Sequence, residues 1–440
     1  MAKVILAFLV FLIAAWANAR KKGTWLCASS VLICIYTVSL LFSIIDIPVN
    51  DERLILQDKY WGAAIFMVVM LFAFLGPFLL FDESKIERIK LPNKRILDLF
   101  STIIIVLSFY SIAYFSPTVL KILQGDLGAL RNALYAGEKF VEVGIWNTIA
   151  STASSFYVFA LLLFFIYLSI GGNKTRIALL FISSLSNPIH VLAYVGRDGV
   201  VYWIFAFAFL YCLFRPYLSL KKRKRLKKTA LYFGTILLIP FLLISIGRFE
   251  DDAGTSNSIV SYLGQPFVFG TLYFGIDHPP VDPGSSFPLF YEFTGIPMPE
   301  SAGRWEMDGT VSWVFGTFLK SLYSSLGGLI GLLIFCFVTG LFFIRVMGKQ
   351  KRTLAFSKIF IYILYFEVLG QGVFYFRQYT RGGNLFILLC LLIAVVFNAI
   401  QGSAPCMYMT KVPEENQKKV PKKKYNYGRQ TVDITTDKCM

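Results

Sequence analysis

Apolar runs long enough to cross a bilayer recur from one end of this chain to the other, and they decide its class before any motif is considered. Roughly 20 apolar residues in a helix span the ~30 Å of hydrocarbon. Eleven such stretches are predicted, at 4–19, 25–46, 60–81, 97–115, 147–170, 177–195, 199–214, 229–247, 322–344, 355–375 and 384–400. The first and seventh are short and fit a tilted or re-entrant path. With 56% hydrophobic residues and 43 Phe in 440 residues, the chain has too little polar surface to cover a soluble globule. The expected fold class is an all-α polytopic integral membrane protein of about 11 transmembrane helices. One membrane domain is expected over 1–400, with a basic tail over 401–440.

Basic residues flanking the spans set the orientation, because Lys and Arg resist translocation. An outer N-terminus puts segments 20–22, 85–95, 174–176, 221–228, 345–352 and the tail inside, and with them most of the 43 Lys and Arg residues. The net charge of +17 is therefore a topology signal. The run 221–228 reads as an inner anchor between the seventh and eighth spans rather than as a site for nucleic acid or anionic lipid. The tail, with its lysines at 418–424, reads as a solvated, disordered cytoplasmic extension. Ala17-Asn18-Ala19 resembles a small-residue signal-peptidase site, yet Arg20, Lys21 and Lys22 follow at once and resist export, which favours an uncleaved first span. The seven Cys residues lie in or beside spans or in the tail, so no outer-loop disulfide is expected. Neither they nor the two His residues have metal-ligand spacing, and no metal or other cofactor is expected.

Two outer loops are longer than connectors need to be. In the first, 116–146, Leu120, Ile122, Leu123, Leu127, Leu130 and Leu134 recur at helical spacing beside Lys121, Asp126, Arg131 and Lys139. This pattern predicts a helix lying on the membrane surface. The second, 248–321, mixes prolines and glycines with Tyr262, Phe267, Tyr273, Phe274, Tyr291, Trp305 and Trp313. Such aromatic faces either stack on sugar rings or pack as an interfacial lid.

Three arginines stand where apolar runs emerge on the outer side. Arg197 lies in Gly196-Arg197-Asp198-Gly199, and Arg248 precedes Glu250 and Asp251. Arg377 opens the short turn that also carries Tyr379 and Arg381. A capped turn or a local ion pair accounts for each alone. Together they break the positive-inside bias at three exits, and planar guanidinium forks bind phosphate in bidentate fashion. Cations held there suit an anionic, lipid-linked substrate, and Arg304 is a further loop candidate. Inside the tenth span Glu367 is costly and hence a functional suspect, although Gln371, one turn on, can satisfy it. Asn187-Pro188 is expected to break the sixth span, and the nearby His190 reads as a hydrogen-bonded packing residue.

The order of these features resembles that of the bacterial O-antigen or oligosaccharide repeat-unit polymerases (Wzy type). The turn around Arg197 before the aromatic run to Phe207 resembles the family's arginine-bearing outer turn. Arg248 with Ser258-Ile259-Val260-Ser261-Tyr262-Leu263 resembles the start of its large periplasmic loop. The strongest likeness is Thr317-Phe318-Leu319-Lys320-Ser321-Leu322-Tyr323-Ser324-Ser325-Leu326-Gly327, which resembles the family's Thr-aromatic, Tyr, Asp-aromatic-Gly segment. Here Ser325 stands where the family often has Asp. The likeness extends over about 60–400 in topology and over short stretches in residues.

The resemblance implies a metal-independent glycosyltransferase at the periplasmic face of a bacterial inner membrane, with a cytoplasmic C-terminus. Its substrates would be undecaprenyl-diphosphate-linked oligosaccharides, one growing glycan being moved onto another lipid-linked repeat unit. A chain-length regulator becomes a candidate partner. Arg197, Arg248 and Arg377 would clamp the diphosphates and stabilise the leaving group. Arg381, Arg304, Arg131, Tyr262, Tyr379 and Glu367 would bind substrate, and Asp198, Glu250 or Asp251 would orient or deprotonate the acceptor hydroxyl. Three alternatives stand beside this reading. An O-antigen ligase carries a functional His in the large loop, where this chain has only His278, without the flanking pattern. A different lipid-linked-sugar glycosyltransferase would use Asp51-Glu52. A flippase would need buried charges in several spans, and only Glu367 meets that need.

Overall fold

The computed structural model describes residues 1–47, 61–125, 130, 133, 140–142, 144–196, 198–249, 255–275, 279, 281–282, 284–297, 315–348, 352–403 and 405–412. The first helices are α1 (Ala2–Lys22), α2 (Ala28–Asp46), α3 (Trp61–Leu80), α4 (Lys94–Gln124), α5 (Ile145–Ser154), α6 (Tyr157–Ile170), α7 (Lys174–Ser183) and α8 (Ser186–Leu192). They are followed by α9 (Asp198–Phe214), α10 (Leu220–Phe249), α11 (Thr255–Gly275), α12 (Pro288–Thr294), α13 (Thr317–Ser325), α14 (Leu329–Met347), α15 (Phe356–Gln371) and α16 (Arg381–Ser403). Three short strands are β1 (Arg88–Leu91), β2 (Thr353–Ala355) and β3 (Met407–Thr410).

Among the described residues, 8 helices are long and apolar enough to cross a membrane, α7 and α8 counting as one, and the pair α5 and α6, bent by 40°, brings the number to 9. The chain is thus a multi-pass, largely helical membrane protein. Two expected spans fall on helices outside that set: α15, with 16 residues, and α10, which starts in the basic run.

Residues 116–124, expected to leave the membrane as the start of an outer loop, remain helical, while most of 126–139, where the rest of the expected surface helix falls, lies outside the described residues. Helix α4 continues as one helix of 31 residues through Pro117. Beside the proline, the Ser116 hydroxyl donates to the Ile112 carbonyl at 2.6 Å, a side-chain bond where the ladder is weakened. The reason for the continuation is burial: Val119 and Ile122 join Phe115, Ala150, Leu192 and Val195 in one apolar cluster.

The chain divides into two compact units, Met1–Asp82 with Ser245–Gly348 and Ile361–Leu389, and Glu83–Ile244 with Lys349–Phe360 and Cys390–Met440. In the second unit the strands form a sheet in the order β2-β1-β3. Arg88 lies opposite Thr353 in the parallel pair and opposite Thr410 in the antiparallel pair. Tyr217 adds a hydrogen bond from its hydroxyl to the Ile86 carbonyl (3.2 Å), and Val412 N one to the Pro216 carbonyl (3.1 Å). Four segments far apart in sequence, the last from the tail, are therefore joined at one place in this unit. The tail, expected to be solvated from 401, instead continues α16 to Ser403 and adds β3 to this sheet; residues 413–440 lie outside the described residues. At the start of α7, Arg176 forms an ion pair with Asp98 and donates to Ser101 Oγ (3.1 Å) and Tyr167 Oη (3.2 Å). The sixth span does break, at 184–185, just before Asn187-Pro188. Pro188 falls in the first turn of α8, where a missing N–H removes no intrahelical bond.

In the first unit α1 packs through Phe11, whose ring lies 5.8 Å from Tyr36 and 4.7 Å from Phe72. Its last residue, Lys22, is buried and donates to Ser29 Oγ (2.6 Å) and the Phe81 carbonyl (2.9 Å). Phe78 of α3 stacks on Tyr362 of α15 at 4.6 Å. The long loop expected after the eighth span contains α11, 21 residues laid against α2. Contact at Gly264 is so close that a Cβ there would stand 2.8 Å from the Phe42 carbonyl carbon. Pro266 interrupts the α11 ladder, and hydroxyls of α2 serve the carbonyls just before it: Ser39 donates to Leu263 O (2.9 Å) and Ser43 to Gly264 O (2.6 Å).

The sheet generates a topology prediction independent of charge counting. Reporter fusions at 92, 352 and 405 should all report the same compartment. A split result among the three would mean that the sheet does not form in the membrane.

Candidate functional site

The site is built where the first unit interrupts its helices. After Gln371 the chain leaves α15, makes a short 3-10 turn (Arg377–Tyr379) and re-enters the membrane as α16. Non-helical backbone at such a place needs partners. They come from the approach to α13: Gly316 N donates to Phe374 O (3.1 Å) and Phe318 N to Gly372 O (2.7 Å). Phe376 N also reaches Ser321 Oγ at 3.4 Å.

A chain of buried amides fixes this crossover. Glu367, 2% exposed, accepts a hydrogen bond from Gln371 Nε2. Gln371 Oε1 in turn accepts from Gln378 Nε2 at 3.0 Å. Asn384, 6% exposed, donates to the carbonyls of Gln378 (2.6 Å) and Ser286 (2.9 Å) and accepts from Leu289 N (3.4 Å). The intramembrane carboxylate is thus satisfied structurally, one of the two readings its sequence context offered. Asn384 also clasps the segment 284–297 to the start of α16.

Two arginines project from this frame with different settings. Arg377 is half-buried and donates to Tyr375 Oη at 3.0 Å. Arg381, its side chain 75% exposed, forms an ion pair with Glu292 of α12 at 2.5 Å. Aromatic rings surround the crossover. Tyr379 meets Tyr375 edge-on at 6.0 Å, and Tyr262 of α11 lies 4.9 Å from Phe315 and 5.5 Å from Phe374.

The segment 317–327 lies beside them. Thr317 opens α13 at φ 63, a left-handed conformation that is costly for a β-branched residue. Ser325 Oγ lies 2.8 Å from Ser285 Oγ, 2.6 Å from Ser286 Oγ and 2.7 Å from the Ser321 carbonyl. A carboxylate does stand next to this helix, supplied by the loop: Asp282, 8% exposed, whose amide donates to Ser324 O and Ser324 Oγ, both at 3.0 Å. The ammonium of Lys320 sits over the Tyr273 ring at 5.3 Å. Among the described residues no three His, Cys, Asp or Glu side chains gather to hold a metal ion.

In the second unit Asp198 opens α9 after a turn in which Val195 has φ 52. Gly199 allows that turn to touch α8, since a Cβ there would lie 2.7 Å from Val191 Cβ and 3.1 Å from the Asn187 carbonyl. His190 Nδ1 pairs with Ser154 Oγ at 2.9 Å, and its ring packs on Phe115 at 4.6 Å and edge-on to Tyr194 at 5.4 Å. This is the packing role expected for it.

Comparison with protein-family models, with curated proteins and with solved structures finds no match. The functional reading therefore rests on the residues themselves.

Of the expected site residues, Arg377, Arg381, Tyr379, Tyr262 and Glu367 belong to the first unit and cluster around the crossover, while Asp198 belongs to the second. Arg248 occupies the last turn of α10. Arg131, Arg197, Arg304, Glu250 and Asp251 lie outside the described residues, as do Asp51, Glu52 and His278. Sequence reasoning missed Gln378, Asn384, Asp282 and Glu292. Asn384 carried one signal, an amide opening an apolar run; the others had none, because their partners are remote in sequence.

The Asn384 clasp generates a stability prediction. Asn384→Leu keeps the volume but strands buried carbonyls, at a cost of about 1–3 kcal/mol. Thermal unfolding in detergent should shift down, and amide exchange across 284–297 should accelerate. Unchanged exchange there would show that another contact holds the segment.

Proposed function

We propose that this chain is a multi-pass glycosyltransferase of the bacterial inner membrane that joins undecaprenyl-diphosphate-linked oligosaccharide repeat units, a polymerase of surface polysaccharide. The observation that carries the reading is Arg377, half-buried on a non-helical crossover between apolar helices whose backbone is held by buried amides. A cation fixed in this way is a ready site for a lipid diphosphate. In the reaction, an acceptor hydroxyl attacks the anomeric carbon of the donor glycan. The bond to the diphosphate oxygen breaks, and negative charge collects on the leaving group. A preorganised guanidinium in a water-poor site stabilises that charge, and its planar fork matches phosphate geometry. Arg381 adds a second cation once it leaves Glu292, an exposed pair worth at most about 1 kcal/mol. Arg197 and Arg248 are further candidates for diphosphate contact, and Arg304 and Arg131 for substrate binding.

The hydroxyl proton needs a carboxylate acceptor. Asp282, buried beside α13, joins Asp198, Glu250 and Asp251 as a candidate for that role. Tyr262 and Tyr379 offer ring faces for sugars. The proposed topology has eleven helices, a periplasmic N-terminus and a cytoplasmic C-terminus. It agrees with the shared side of β1, β2 and β3, which all lie in or beside segments rich in Lys and Arg.

Purified protein in lipid, given only undecaprenyl-diphosphate-linked repeat units and excess chelator, should produce longer lipid-linked glycans without ATP or an ion gradient. Arg377→Ala should lower the rate on the order of 10²- to 10³-fold, and Arg377→Lys should restore it partly because it offers a point charge and no fork. Transfer of the glycan to a lipid A acceptor without lengthening would make the protein a ligase. Movement of the lipid across a vesicle bilayer without lengthening would make it a flippase.

A further inference from the structure

A second cleft lies in the other unit, among α6, α7 and the first turns of α10. It encloses about 580 Å³, within the range of roughly 300–1,000 Å³ typical of small-molecule sites. Phe164, Phe181 and Leu226 are among the residues that line it, together with Lys174, Lys222 and Arg225. The lining is almost wholly apolar apart from these three cations, one at the start of α7 and two in the first turns of α10.

The state of those cations matters. Lys222 Nζ donates to the carbonyls of Leu168 (2.7 Å) and Ser169 (3.4 Å), near the end of α6. Burial pushes its ammonium below the usual lysine range, the response of a cation partly withdrawn from water. Among the described residues Lys174 and Arg225 have no acidic partner, and Lys174 stands at the N-terminus of α7, whose dipole adds positive potential. Ile182, a lining residue 42% exposed, belongs to the candidate span Lys174–Leu192, where an exposed apolar side chain is suited to hydrocarbon.

We propose that this cleft binds an anionic glycerophospholipid. Its phosphate rests among Lys174, Lys222 and Arg225, and an acyl chain runs along Phe164, Phe181 and Leu226. Charge complementarity selects an anion, and the apolar depth, open to the bilayer, selects one with a hydrocarbon tail. The lipid would come from the leaflet next to the basic run 221–228. This site is separate from any glycan chemistry and does not depend on it.

Native mass spectrometry of the full-length protein in detergent tests the assignment, with phosphatidylglycerol and phosphatidylcholine of identical acyl chains as probes. Wild-type protein should retain phosphatidylglycerol in preference to phosphatidylcholine. Lys174→Gln with Arg225→Gln leaves the Lys222 contacts in place and should reduce that preference on the order of tenfold. Lys221→Gln with Lys224→Gln removes the same charge from positions that are exposed like Lys174 and Arg225 but do not border the cleft, and should leave it intact. Ala178→Trp, which fills the cleft without altering charge, should abolish retention of both lipids. Equal retention of the two lipids by wild type would overturn the proposal. So would equal losses from the two charge-removing pairs, which would indicate only diffuse attraction to a basic helix. Displacement of the lipid by an equal concentration of glycerol phosphate would identify a soluble-phosphate site instead.

Discussion

Backbone inside hydrocarbon has no water to bond with, so each interruption of a helix must find its partners in a neighbouring element. The described fold follows from how this chain meets that demand. The crossover after α15 is served by Gly316, Phe318 and Ser321. Pro266 in α11 is answered by Ser39 and Ser43 of α2. At the break between α7 and α8, Ser184 accepts from Trp203 Nε1 at 3.0 Å and Ser186 donates to the Ser154 carbonyl at 3.3 Å. At each of these breaks a polar side chain is therefore turned inward to serve the interrupted backbone or its neighbours.

Burial also separates two arginines that look alike in sequence. Arg377 is half-buried against Tyr375, in surroundings where a charge acts more strongly than in water. Arg381 is largely exposed and already paired with Glu292. The first is suited to fixed electrostatic stabilisation and the second to a contact that exchanges partners. Backbone strain sits at Val195 and Thr317, β-branched residues at positive φ. Each costs on the order of 1–3 kcal/mol and persists only where packing over-determines the backbone.

Legibility followed the range of the interaction. The 8 helices long and apolar enough to cross a membrane, 9 with the bent pair α5 and α6, could be read because each depends on the composition of one contiguous stretch, and the contact of Glu367 with Gln371 could be read because four residues make one helical turn. Residues 116–124 were misjudged, since what continues α4 is a cluster assembled with Leu192 and Val195 from another helix. Asn384 escaped because its partner Ser286 is 98 positions away, and β3 escaped because a lysine-rich tail carries no sign that 407–410 will meet β1.

Partition between water and hydrocarbon is a property of each segment alone, so the sequence by itself determined that this is a multi-pass membrane chain and where its basic segments fall. Only the tertiary structure decided which segments meet: that three connections share a sheet, that α11 lies against α2, that Asp282 stands beside α13, and that Lys174 and Arg225 border one apolar cleft. Those pairings depend on shape and hydrogen-bond geometry between stretches distant in the chain. Individually they are worth a few kcal/mol or less, and no local pattern of residue types encodes them.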